Sequence, residues 1–215
     1  MNSNGLGGTD FRVDTISKLN PRIWGATAIY SPHDKKVLIT KSTAAALKEG
    51  DPSAIHVASH EMLHSRQFSY KGSEGTTSDE NIRLLSNTSY VHSLEGNNEL
   101  ATRLFMKDIG AGVMTNGPYQ KEVESWAGVA MAHEKKTGIS AKQFVYDTHK
   151  TYGDIDKTAG TFNQLFPTRG FDSQGYRAKE FGRWATTQQV NKYLSKDYGI
   201  NSHAAYNEMM AHGGS

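Results

Sequence analysis

Apolar and polar positions along the chain predict a short β-structure followed by helices. "ATAIYS" (26–31) and "KKVLIT" (35–40) are rich in β-branched residues and flank the turn-forming "PHD", which predicts a hairpin. "STAAALKEG" (42–50) has a serine start and a glycine stop and reads as a short helix. Asp51 then supplies an N-cap and Pro52 a first helical position, so "DPSAIHVASHEMLHSRQF" predicts a helix of about four turns. The Gly/Ser/Thr-rich stretch 71–80 ends it and reads as a loop.

Residues 81–91 have helical character, and "SLEGNNELATRLFMKDIG" (93–110) predicts a further helix with Leu100, Leu104 and Phe105 turned inward. "KEVESWAGVAMAHEKKTG" (121–138) reads as a helix with a glycine stop. Further helices are predicted at 140–151, 177–196 and 202–211, with a glycine-broken loop around 167–176. The expected fold class is α+β and mainly helical. Residues 1–9 form a flexible N-terminus, and 10–215 form one domain. Within it, 10–70 make an α/β lobe carrying the central helix, and 71–215 make a helical lobe.

Composition narrows this picture in three ways. The 215 residues include no cysteine, which excludes disulfides, thiolate ligands and a cysteine nucleophile. The net charge of +2 comes with no basic run, so nucleic acid is not an expected partner. No apolar stretch approaches the roughly 20 residues of a membrane span, and no signal peptide is visible. The expected location is therefore cytoplasmic, or exported by a route that needs no signal.

The chemistry concentrates in "HVASHEMLH" (56–64). His60, Glu61 and His64 match H-E-x-x-H on the predicted helix. Side chains at i and i+4 lie one above the other, so two imidazoles can converge on one metal ion. Glu61 is about 100° round the helix, which puts its carboxylate beside such an ion rather than on it. There it can take a proton from a metal-bound water and return it to a leaving amine. The bland reading is an amphipathic helix with solvated or core-bonded histidines. Against it stand the capped helix, the apolar Ile55, Val57 and Leu63 on its other face, and a third candidate ligand downstream.

A hydrolytic zinc site needs three protein ligands and an open position. "LEGNNELATRL" offers Glu95 and Glu99 at i and i+4 on one helix. With Glu95 as ligand, Glu99 lies one turn on, where it can hold a ligating histidine by its free ring N–H. His56 stands one turn before His60, about 6 Å further along the axis. That distance suits a substrate-facing or hydrogen-bonded histidine and not a third imidazole ligand.

His60–Glu61–x–x–His64 followed by a helical Glu95 resembles the glutamate zincins, zinc metallopeptidases with glutamate as third ligand. The "EG" at 95–96, with a second glutamate four residues after the first, resembles small bacterial, phage-associated and toxin-type metallopeptidase domains. "PYQKEVESW" (118–126) resembles the segment after the ligand helix in those domains. The likeness covers about residues 36–136, and the C-terminal third is outside it. The H-x-x-G-x-x-H extension of the metzincins is absent.

The resemblance implies a zincin-like fold and Zn2+ held by His60, His64 and Glu95. It further implies an endopeptidase in which Glu61 acts as general base and then acid on the metal-bound water. An oxyanion donor is needed as well. Tyr119, opening the next helix, is the first candidate among ten tyrosines, ahead of Tyr146, His149 and Tyr152. A peptide or protein substrate is the implied partner, and the small cysteine-free chain suits a delivered toxin, effector or virion-associated protease. The contrasting reading is a zinc-stabilised structural or binding module without catalysis. It has no use for Glu61 and would close the fourth position with a protein ligand.

Overall fold

The computed structural model describes residues 10–13, 26–31, 36–68, 88–114, 116–151 and 188–212. The chain is mainly helical with a small sheet near its N-terminus, as the sequence pattern predicts. Strands β1 (Asp10–Val13), β2 (Ala28–Ser31) and β3 (Lys36–Ile39) lie in the order β1-β3-β2. β2 and β3 form the predicted antiparallel pair, with Tyr30 opposite Val37. β1 adds to β3 in parallel and was not foreseen, because nothing local in "DFRV" announces a pairing more than twenty residues away.

Helix α1 (Lys41–Lys48) starts one residue before the expected serine. The cap is Thr40, whose hydroxyl accepts from Thr43 N at 3.1 Å. α2 (Pro52–Phe68) begins as read: Asp51 Oδ1 accepts from Ala54 N at 2.8 Å. α3 (Thr88–Asp108) is one continuous helix across the stretch read as two, although 81–87 lie outside the described residues. It runs straight through Gly96 for a packing reason. A Cβ at 96 would sit 2.3 Å from Glu122 Cβ, so the glycine lets the next helix approach.

That next helix, α4 (Gln120–Thr137), ends at Gly138 with φ 75°. α5 (Ala141–Thr151) comes after it. Near the C-terminus come α6 (Gln188–Tyr193), a π-helical turn (Leu194–Tyr198) and α7 (Ser202–His212). Of the expected helix 177–196, residues 177–187 lie outside the described residues, 188–193 are α-helical and 194–196 fall in the π-helical turn. The loops expected at 71–80 and 167–176, and residues 1–9, also lie outside the described residues.

The main core is helical. Leu100, Leu104, Trp126, Val129, Val145 and Leu194 are among its fully covered side chains. α7 and the π-helical turn before it pack on α4 at Gly128, where a Cβ would meet Leu194 Cδ1 at 2.7 Å and Ser202 Cβ at 3.2 Å. A second, smaller cluster of Ala28, Tyr30, Val37 and Ile39 joins the sheet to α1 and α2. α2 therefore has the sheet on one side and α3 and α5 on the other. No helix among the described residues is long and apolar enough to cross a membrane.

Candidate metal centre

Helices α2 and α3 pack so that the histidines of one face the glutamates of the other. Glu95 Oε2 lies 3.0 Å from His60 Nε2 and 3.2 Å from His64 Nε2. The two imidazoles meet edge to face, with centroids 4.8 Å apart. One nitrogen of each histidine and one oxygen of Glu95 lie within 4.8 Å of one another, and this trio could hold a metal ion. It is the only such group among the described residues.

Each imidazole is oriented from behind. His60 Nδ1 donates to Glu99 Oε2 at 2.9 Å, and His64 Nδ1 donates to Gln67 Oε1 at 2.7 Å. The Gln67 amide is fixed in turn, because its Nε2 donates to Leu94 O at 3.3 Å. With both Nδ1 atoms protonated, neutral rings would turn two Nε2 lone pairs toward one carboxylate oxygen. Such an arrangement repels itself unless a proton or a cation lies between.

Without a metal, the proton takes that place. Burial disfavours the charged form of His60, yet hydrogen bonds to Glu95 and Glu99 outweigh it and raise its pKa to about 10. For Glu95, burial is overcome by His64 and His60, which hold the carboxyl well below the usual range. For Glu99, burial is overcome by hydrogen bonds from His56 and His60 in the same direction.

His56 is not a ligand in this arrangement. It is buried, and its Nε2 lies 3.1 Å from both oxygens of Glu99. Of the two roles open to it from the sequence, the hydrogen-bonded one is the role found in the structure. Glu99 itself is 0 % exposed and also accepts Arg103 Nε at 2.8 Å. Asn98 ties the helices together: its Nδ2 donates to His60 O at 2.8 Å, and its Oδ1 accepts from His149 Nε2 at 2.8 Å.

Glu61 is also within reach of the sheet. Its Oε2 accepts from Tyr30 N at 2.6 Å. Thr40 N bonds Thr27 O, so in this register the main-chain groups of residue 30 face away from β3. Tyr30 N is therefore a donor on the outer edge of β2, and the Glu61 carboxylate sits against that edge.

Tyr119 precedes α4 in a left-handed conformation, φ 58°, the only positive φ among the described non-glycine residues. Its ring stands edge-on to His92 at 5.9 Å. Burial pushes its pKa up to about 12, with the negative charges of Glu95 and Glu61 adding to the shift. The other candidates read from sequence are elsewhere. His149 is 1 % exposed and bonded to Asn98, and burial keeps it neutral. Tyr146 donates to Asp108 at 3.1 Å, and Tyr152 lies outside the described residues.

Gln67, Asn98 and Arg103 were missed in the sequence. Gln67 at i+3 from His64 and Arg103 at i+4 from Glu99 have helical spacings that carry a signal, but such pairs ordinarily mark solvated faces. No protein-family model, curated protein or solved structure matches the chain.

Proposed function

We propose that the protein is a zinc-dependent endopeptidase with His60, His64 and Glu95 as the metal ligands. The observation that carries this reading is the convergence of two Nδ1-anchored imidazoles and one partly buried carboxylate on a common point. The donor set fits a divalent ion. Ligand bonds of 2.0–2.2 Å at tetrahedral angles separate donors by roughly 3.3 Å, close to the 3.0 and 3.2 Å spacings here. Two imidazoles and a carboxylate suit zinc. Charge agrees: Glu61, Glu95 and Glu99 against Arg103 leave two negative charges when the histidines are neutral.

When bound, zinc would supply Lewis acidity, polarising the scissile carbonyl and lowering the pKa of a coordinated water. The remaining work falls to the chain. Glu61 takes a proton from the attacking water and delivers it to the departing nitrogen. Tyr30 N, on the side of β2 away from β3, orients that carboxylate and marks where an extended peptide would lie. Tyr119 keeps its phenolic proton at neutral pH and is the donor assigned to the developing oxyanion.

The test is metal content and cleavage of an unbiased peptide library. Glu61→Gln should keep its metal and lose at least about 10²-fold in cleavage, and a chelator should silence the wild type until zinc is restored. Glu95→Ala and His64→Ala should fail to retain metal through dialysis. Substantial cleavage by Glu61→Gln would end the mechanism. A metal-loaded wild type inert on every substrate would point to a zinc-stabilised binding module instead.

A further inference from the structure

The support behind His60 does not stop at Glu99. Arg103 is 0 % exposed, and its Nε holds Glu99 Oε1. Its Nη1 donates to Gln120 Oε1 at 2.8 Å and to the Tyr206 hydroxyl at 2.9 Å, two bonds that its two hydrogens can make together. The guanidinium carbon lies 5.5 Å from the Tyr206 ring centroid. Nη2 has no hydrogen-bond partner among the described residues and comes within 2.9 Å of where a Cβ on Gly117 would be. Tyr206 is on α7, 103 residues from Arg103 and beyond the stretch with any family likeness.

We propose that Arg103 and Tyr206 are positioning residues for the metal ligand His60, so that the C-terminal helix is a working part of the metal centre. This rests on the metal-binding reading above, and not on peptide cleavage. The physical reason lies in Glu99. One carboxylate serves three donors: His56, His60 and Arg103. Both oxygens are within reach of His56, so the histidines alone leave the carboxylate free to turn toward either ring. The directional Nε–H bond from Arg103 pins Oε1 and leaves Oε2 for His60 Nδ1.

That bond fixes the His60 tautomer and aims Nε2 at the common point with His64 and Glu95. Arg103 is also a permanently charged neighbour of the buried Glu99, 2.8 Å from its Oε1. Gln120 and Tyr206 hold the fork from its far side. α7 docks through close packing of Ser202 on Gly128, beside Leu194 of the preceding π-helical turn, which does not involve the Tyr206 hydroxyl. Tyr206→Phe therefore removes the acceptor while keeping ring and fold.

The experiment titrates Co(II) into the full chain and into Tyr206→Phe, Arg103→Lys and Arg103→Gln, reading visible absorption and affinity by chelator competition. The expected order is a loss of about 10–100-fold for Arg103→Gln, a smaller loss for Arg103→Lys, and roughly 3–10-fold for Tyr206→Phe, below the usual range because it acts one bond further away. The absorption bands should shift while circular dichroism stays unchanged. In the metal-free protein, the His60 Nδ1 proton, followed by NMR, should exchange with solvent faster in Tyr206→Phe.

Wild-type Co(II) affinity and spectrum in both Tyr206→Phe and Arg103→Lys would overturn the proposal, leaving Arg103 a strut between helices. If the wild type takes up no Co(II), the metal reading fails, and with it the role toward a ligand. Unaltered His60 proton exchange in Tyr206→Phe would separately refute the coupling between α7 and His60.

Discussion

On one side of α2, His60 and His64 face α3, where Asn98, Glu99 and Arg103 are all 0 % exposed and each is hydrogen-bonded to another element. On the other side, Glu61 reaches the edge of a sheet of four-residue strands, whose own core is Ala28, Tyr30, Val37 and Ile39. The ligand side is held by buried polar bonds whose loss leaves uncompensated groups, an expensive outcome. The base side is held by one bond to a main-chain amide and a small apolar cluster. Under the metallopeptidase reading the difference makes chemical sense. Metal ligands need fixed positions, whereas a carboxylate that moves a proton between water and a leaving nitrogen benefits from compliance.

The sharpest way to break the comparison is to weaken the ligand side without touching a ligand. Glu99→Gln should lower metal affinity by about 10–100-fold, because the amide can still accept from His60 but no longer carries the charge that Arg103 and the histidines answer. Gln67→Ala should act through His64, at the lower end of that range. Glu61→Gln should leave affinity unchanged. Competition with a chelator measures all three. Equal affinities for Glu99→Gln and Glu61→Gln would erase the distinction between the sides.

Protonation gives a second, milder handle. In the metal-free protein the pKa of His60 is raised in the fold to about 10 from an ordinary value of 6.5. The folded chain then binds the extra proton more tightly, so its contribution to stability is full below about pH 6.5 and is lost as pH rises toward 10. Glu95 and Glu99 are shifted down, so their contribution is present above an ordinary 4.5 and declines in acid. Denaturation of the metal-free chain should therefore show stability falling between pH 6.5 and 10. Metal should flatten that fall by taking the proton's place on His60. A metal-free profile flat across this window would mean that His60 is not held by its carboxylates.

Much of the ligand side was legible because helices write their chemistry at fixed intervals. Asp51–Pro52 marked where α2 begins, the i, i+4 spacing put His60 beside His64, and the same spacing put Glu99 one turn beyond Glu95. Where sequence reading stopped, long-range packing decided. Gly96 read only as an interior position of the helix predicted at 93–110, yet its missing side chain lets α4 approach. Arg103 and Tyr206 were not singled out in the sequence, since no local pattern encodes a contact across 103 positions. The edge role of Tyr30 N was equally hidden. It arises from strand register and from the bond between Tyr30 N and the Glu61 carboxylate, neither of which a motif specifies.

The smallest expected effect probes the base side directly. Val37 is 0 % exposed and lies opposite Tyr30 in the β2–β3 pair, within the small cluster that seats the sheet on α2. Val37→Ala removes two buried methyl groups' worth of packing and should cost about 1–3 kcal/mol of stability. If the sheet serves only to orient Glu61 and a paired peptide, the variant should bind metal as the wild type does. Its peptide cleavage should fall only a few-fold (~2–5-fold, less than removing a catalytic group), because a looser β2 shifts Tyr30 N while leaving His60, His64 and Glu95 on their helical supports. Chelator competition and cleavage rates on the same preparation separate the two. A parallel loss of metal affinity would show that the sheet also braces the ligands, and that the two sides of α2 are one mechanical unit.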